Sequence, residues 1–142
     1  MSETTSPGIA GVNHVALTVT DLDASVAWYQ RLFGMVNVGK FPHFDKEESG
    51  YAVVLAEPRS GVVIALHTNT GNRGESFDEV RTGLDHLAFT VASSEELQAW
   101  AAWLDELGIE HTGVRHITDP SPISTLVLRD PDNIQLEFAT TG

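Results

Sequence analysis

The 142-residue sequence contains no cysteine. Disulfides, thiolate metal sites and cysteine nucleophiles are therefore excluded. The composition fits a reducing cytoplasm, the location expected for this chain. Basic residues are scarce: eight Lys and Arg stand against twenty Asp and Glu, for a formal net charge of −12. Gripping nucleic-acid phosphates takes clustered Lys and Arg, so no nucleic-acid partner is expected. The acidic surplus reads as a solvated surface that favours solubility. No apolar run approaches the roughly 20 residues of a membrane span, and none of the first ten residues builds a signal peptide. Residues 1–10 are expected to be a disordered tail. No Gly-rich phosphate loop, nucleophile elbow or Ser/His/Asp ordering stands out.

What the chain does have is a repeat. Gly11-Val12-Asn13-His14-Val15-Ala16-Leu17-Thr18-Val19 returns as Gly83-Leu84-Asp85-His86-Leu87-Ala88-Phe89-Thr90-Val91. The same interval carries Trp28 to Trp100. Two structural modules follow, each with one His at the same point of its first strand.

The hydrophobic pattern gives both modules one order of elements. In the first, a strand over Val12–Val19 leads through Thr20 or Asp21 as cap into a helix over Leu22–Phe33, stopped by Gly34. Strands follow over Met35–Phe44, Tyr51–Ala56 and Val62–His67, with Pro42 marking an edge or a bulge. The stretch 69–82 reads as a linker with a short helix near Phe77–Val80. In the second, Leu84–Val91 is a strand and Ser93 or Ser94 caps a helix over Glu95–Leu107. Glu110–Ile117, Ile123–Arg129 and Ile134–Ala139 are strands, and Asp130-Pro131-Asp132-Asn133 is a tight turn. The predicted fold is α+β: one domain over 11–142 built of two βαβββ modules, about 11–68 and 83–140, forming a cupped, mostly antiparallel sheet. The helix covers one face of each four-stranded sheet, and the two open faces, side by side, would form a trough.

Aligning the modules places Ile64-Ala65-Leu66 against Leu136-Glu137-Phe138. Glu137 sits between two apolar neighbours and so points to the opposite face. A carboxylate lining a trough is costly without a cation or donor beside it. Two imidazoles and a carboxylate on separate strands, His14, His86 and Glu137, are the ligand set of a divalent-metal site with open positions. Fe, Zn, Ni, Mn and Co all suit it.

The paired His strands and the run Leu128-Arg129-Asp130-Pro131-Asp132-Asn133-Ile134-Gln135-Leu136-Glu137-Phe138 resemble the vicinal oxygen chelate superfamily. That group holds the glyoxalase, bleomycin-resistance, fosfomycin-resistance, epimerase and extradiol dioxygenase proteins. The resemblance implies a glyoxalase-like fold, metal ligands at His14, His86 and Glu137, and homodimers whose site can be completed between chains. The chain departs from the pattern at one place. Ala65 stands where glyoxalase-like members carry Glu or Gln, and His67, two residues on, could substitute as a ligand or line the pocket.

The remaining histidines read differently. His43 and His116 are nearly repeat-related and could face the trough as acid/base groups, or be plain solvated strand ends; His111 reads as surface. Trp28, Trp100 and Trp103 fit a core or interface. Phe41, Phe44, Tyr51 and Phe89 could line an apolar pocket. The expected function is a divalent-metal-dependent lyase, isomerase or dioxygenase acting on a small oxygen-bearing substrate. Glu137 is then metal ligand and possible base, and His67 a possible catalytic group. The alternatives are a metal-free, bleomycin-resistance-like binding protein, and a partner module that kept the fold and lost the activity.

Overall fold

A computed structural model describes residues 5–43 and 47–142. The element order repeats as read: β1 (Val15–Thr18), α1 (Leu22–Phe33), β2 (Val36–Pro42), β3 (Tyr51–Ala56) and β4 (Val63–His67), then β5 (Leu87–Thr90), α2 (Ser94–Leu107), β6 (Arg115–Ile117), β7 (Ile123–Arg129) and β8 (Gln135–Thr140). Each module is its own four-stranded sheet, ordered β1-β4-β3-β2 and β5-β8-β7-β6. In both, the first strand pairs parallel to the last and the other pairs are antiparallel.

Local chemistry sets the boundaries. Asp21 caps α1 by accepting a bond from the Ala24 N–H, and Gly34 ends it in the left-handed region at φ 67°. Ser93 caps α2 through the Glu96 N–H, while the Glu96 carboxylate accepts from the Ala92 N–H. Together these satisfy donors that a helix start leaves orphaned. The strand containing Pro42 lies at the sheet edge, where a missing N–H costs no ladder bond. Its irregularity falls between Asn37 and Gly39.

Three expectations shift. No helix forms near Phe77–Val80. The chain there makes a turn at Glu79-Val80, held by Asp78, which accepts from the Val80 N–H. Phe77 is tied instead to the second module: its N–H donates to the Asp132 carbonyl and its carbonyl accepts from Asn133 Nδ2. The strand expected over Glu110–Ile117 shortens to Arg115–Ile117, with one isolated bridge between His111 and Leu128. Gly113, at φ 73°, turns the backbone out of extended conformation between them. His14 and His86 each stand one residue before their strands begin.

Both modules bury their apolar faces in one core. Leu17, Tyr29, Leu55 and Leu66 of the first cluster with Leu97, Leu104, Leu126, Leu136 and Phe138 of the second. Phe33 of α1 lies against Phe89, Trp100 and Phe138, with ring centroids 4.7–5.9 Å apart, a spacing favourable for aromatic pairs. Trp103 Nε1 donates to the Leu32 carbonyl. Phe89 is thus a core residue, not a pocket wall, and Trp28, Trp100 and Trp103 pack against the core as expected.

Polar bonds lock the same junction. The Asp130–Asn133 turn closes with the Asn133 N–H on the Asp130 carbonyl. Buried Asp130 accepts from the Tyr29 hydroxyl at 2.7 Å and from the N–H groups of Asp132 and Ile134. Burial pushes its carboxyl upward and pushes the Tyr29 phenol up further, so Tyr29 stays a donor. Asp132 accepts from both the backbone and the hydroxyl of Thr20.

This shared core decides where the open faces go. Each helix covers its own sheet, α1 on β3 and β4 and α2 on β7 and β8, so the uncovered face of each sheet is the one turned away from that core. The two sheets share no strand pairing.

Candidate functional site

The register confirms the internal alignment. Ala16 pairs with Ala65, and Ala88 pairs with Glu137. Ala65 and Glu137 therefore occupy equivalent places, each beside the residue two after the repeated His. Alternation along β8 buries Leu136 and Phe138 and leaves Glu137 half-buried on the open face.

The two repeated histidines are held alike. His14 Nδ1 lies 2.7 Å from Asn13 Oδ1, and His86 Nδ1 lies 2.6 Å from Asp85 Oδ1. Bound by an acceptor oxygen, each Nδ1 carries the ring proton, and each Nε2 is left as a lone-pair donor. Orienting a ligand imidazole through its other nitrogen is a recurring feature of metal sites. Gln135 Nε2 in turn donates to Asp85. The residues before the histidines, Asn13 and Asp85, were legible as a signal: both copies place an acceptor side chain there.

The chain nevertheless keeps the candidate ligands apart. His14 lies on the first sheet, His86 and Glu137 on the second. Among the described residues no group of three His, Asp or Glu side chains is placed to hold one metal ion. The donor types fit a divalent metal, but one chain does not bring them together.

The first sheet's open face carries a cavity of about 790 Å³. Its floor is small and apolar, with Ala16, Ala52, Val54, Val63 and Ala65, and Phe41 forms a wall. Polar groups gather at its margins: His14, His43, Ser49, His67 and Asn69. Among the described lining residues there is no Lys, Arg, Asp or Glu. Ala65 leaves open the floor that a carboxylate would fill.

His67 is engaged by a neighbour. Its Nδ1 lies 3.0 Å from His43 Nε2, and His43 Nδ1 lies 2.5 Å from Ser49 Oγ. Burial, then the neighbouring His43 and His14, lower the His67 pKa from its ordinary value, so the ring is neutral near pH 7. Gly50, at φ 142°, sits where a Cβ would come within 2.6 Å of the Thr68 carbonyl. That close approach holds the start of β3 against the end of β4, and with it Ser49 near the two rings.

The other positions separate. His116 bonds to Ser124 Oγ through Nδ1, opposite Ser124 in the ladder. Ser124 shares its face with Leu126 and Leu128, so His116 stands at the margin of the covered face, not on the open one. His111 is not a surface residue: its side chain is 13% exposed and bonded to Asp105. Tyr51 packs against the core with the Lys40 ammonium 4.0 Å from its ring centroid. Phe44 lies outside the described residues. Among those residues no helix is long and apolar enough to cross a membrane.

Comparison with known proteins adds a family. Residues 11–138 match the family described as the Glyoxalase/Bleomycin resistance protein/Dioxygenase superfamily. A solved glyoxylase/bleomycin resistance protein/dioxygenase domain from Frankia sp. EAN1pec superposes with a TM-score of 0.82 at 31% identity, covering 95% of this chain and all of that one. A Bacillus subtilis (strain 168) protein named as a ring-cleaving dioxygenase, MhqA, is 25% identical over 93% of this chain. The metallothiol transferase FosB of Bacillus licheniformis is 26% identical, again over 93% of this chain. The chain spans 40% of the length of the first of these relatives and 76% of the second.

Proposed function

Because this chain belongs to the glyoxalase/bleomycin resistance protein/dioxygenase superfamily, we propose that it is a divalent-metal-dependent enzyme acting on a small oxygen-bearing organic substrate, and that its site is completed in a homodimer. The open first sheet of one copy faces the open second sheet of the other. His14 from one chain then joins His86 and Glu137 from its partner.

The observation that carries this reading is the matched pair of bonds from Asn13 to His14 and from Asp85 to His86, which leave both Nε2 atoms free. A strand-end histidine that merely meets solvent has no need of the same restraint in both copies. Glu137 adds a half-buried carboxylate on the open face. When bound, the metal would supply Lewis-acid stabilisation of a substrate oxygen as negative charge develops on it. The protein's share is to orient the imidazoles, exclude water over the apolar floor and accept a proton at the polar margin.

The site can be tested through pairing. The His14→Ala and Glu137→Ala proteins should each lose the metal while staying folded. Co-expressed with separate tags and purified as the mixed dimer, they should hold one metal per dimer, because one site then has all three ligands intact. A folded mixed dimer without metal would overturn the cross-chain site. Wild type that takes up no added divalent metal would instead favour a metal-free small-molecule binder, a reading supported by a cavity formed wholly within one module.

A further inference from the structure

Ser49, His43 and His67 form a continuous hydrogen-bonded chain at the edge of the first module's cavity. The second module has no counterpart at the corresponding places. The register that sets Phe41 against Ala52 and Ala52 against His67 sets Arg115 against Thr125 and Thr125 against Ala139. Ala139 therefore stands in the place of His67 and Ile117 in that of His43, and the His116–Ser124 bond belongs to the other face.

His67 stands at a defined place relative to the candidate ligand. Along β4 the face that holds Ala65 also holds Val63 and His67, and His14 and His67 both line the cavity whose floor includes Ala65. A substrate seated over Ala65 meets both rings.

The geometry points to His67 as the proton acceptor of this cavity, with His43 and Ser49 as the positioning pair that fixes its tautomer and carries its proton away. This rests on the proposed enzyme reading and adds to it a proton path and a substrate class. A neutral imidazole carries one N–H. With that proton on Nδ1, His67 donates to His43 Nε2, His43 donates through its own Nδ1 to Ser49 Oγ, and His67 Nε2 is left bare. When a substrate hydroxyl gives its proton to that Nε2, the His67 Nδ1 proton passes to His43 Nε2. The His43 Nδ1 proton passes to Ser49 Oγ, and the serine hands its own hydroxyl proton on to the next acceptor at the outer end of the chain. One proton enters, one leaves, and every ring ends neutral.

Neutrality matters at this place. No described lining residue is a carboxylate that could pair with an imidazolium, and a buried unpaired charge is costly. A relay avoids forming one. The same lining, without a described cation, suits an uncharged molecule, apolar over most of its surface and bearing a hydroxyl at one end.

The test is the tautomer of His67, read by long-range proton–nitrogen NMR on the uniformly nitrogen-15-labelled, metal-free full-length protein at pH 7.5. This reading does not depend on whether a metal binds, so it fails or stands separately from the enzyme proposal. Wild type should show His67 protonated at Nδ1 and bare at Nε2. His43→Ala should shift the dominant form to the Nε2-protonated tautomer. His43→Gln, whose amide oxygen can reach the place of the His43 Nε2, should keep the wild-type form. A wild-type His67 protonated at Nε2 overturns the proposal, as does a His43→Ala protein with an unchanged tautomer. A His43→Gln protein that behaves like the alanine variant overturns it too.

Discussion

The two modules share an order of elements and differ in what they show to the outside. The second presents His86, Glu137 and Arg115 on its open face or edge, with Arg129 tied to Glu79. The first presents an apolar floor, a cavity and the Ser49–His43–His67 chain. Their inner faces barely differ in kind: leucines and aromatics from both meet in one cluster. A duplicated unit can diverge on its open face because that face does not hold the fold together. The covered face cannot, because each module is the other's core.

The strongest way to break that comparison is to attack the shared core. Phe138 is almost fully buried and touches Phe33, Phe89 and Trp100. Phe138→Ala should cost about 3–5 kcal/mol, measured by urea denaturation. The transition should remain single, with both modules lost together. A first module that keeps its fluorescence and far-UV signal after the second has melted would show that the modules stand alone.

The polar lock comes next. Tyr29→Phe removes the hydroxyl that bonds to buried Asp130 across the junction. The expected loss is about 1–3 kcal/mol, the range for a buried polar group left short of a partner. Asp130 keeps two backbone donors, which places the effect below that of the core substitution. A cost indistinguishable from zero would mean that water replaces the phenol, and that the junction is not sealed there.

Much of this was readable beforehand because the repeat served as a ruler. It gave the βαβββ order, the equivalence of Ala65 and Glu137, and the phase that turns Glu137 to the open face. Tertiary choices were not legible. Periodicity says which side of a sheet is apolar, but not against which neighbour it closes. Each helix lies on its own sheet, both modules feed one core, and the candidate ligands of one chain are not gathered into a group of three among the described residues. Phe89 was read as a pocket wall for the same reason. The turn near Phe77 was missed because Asp132 and Asn133, distant in sequence, take its backbone bonds. Ser49 carried no signal of its own, since its partner His43 is met only once β2 and β3 are paired.

A finer test separates the two repeated histidines. Asn13→Ala and Asp85→Ala should each weaken metal binding by roughly 10- to 100-fold, as loss of an outer hydrogen bond to a ligand imidazole does. Asp85→Ala should be the more severe, because a carboxylate is the stronger acceptor and raises the basicity of its ring. Thermal stability should change little, since both side chains are exposed. Equal binding by both variants and wild type, in titrations with one divalent metal, would remove the orienting role and with it the main support for the ligand assignment.

The smallest expected effect concerns pH, and it belongs to the first module alone. His67 has a folded pKa below its ordinary value of 6.5, through burial and then the proximity of His43 and His14. The unfolded chain therefore takes up a proton at a pH where the folded chain does not. Stability then rises with pH: the contribution is complete above the unfolded value and drains away as pH falls through about 6.5 toward the lower folded value. The ring is half-buried at the cavity edge, so screening by solvent keeps the effect small. His67→Gln should flatten, without abolishing, the slope of the melting temperature between about pH 5 and 6.5. His116→Gln, a change to a histidine of the other module, should leave that slope as it is, since its ring is bonded to Ser124 and not to a second imidazole. If both substitutions flatten the slope alike, the acid sensitivity is common to histidines of both modules, and the first module's pair of rings is not its source.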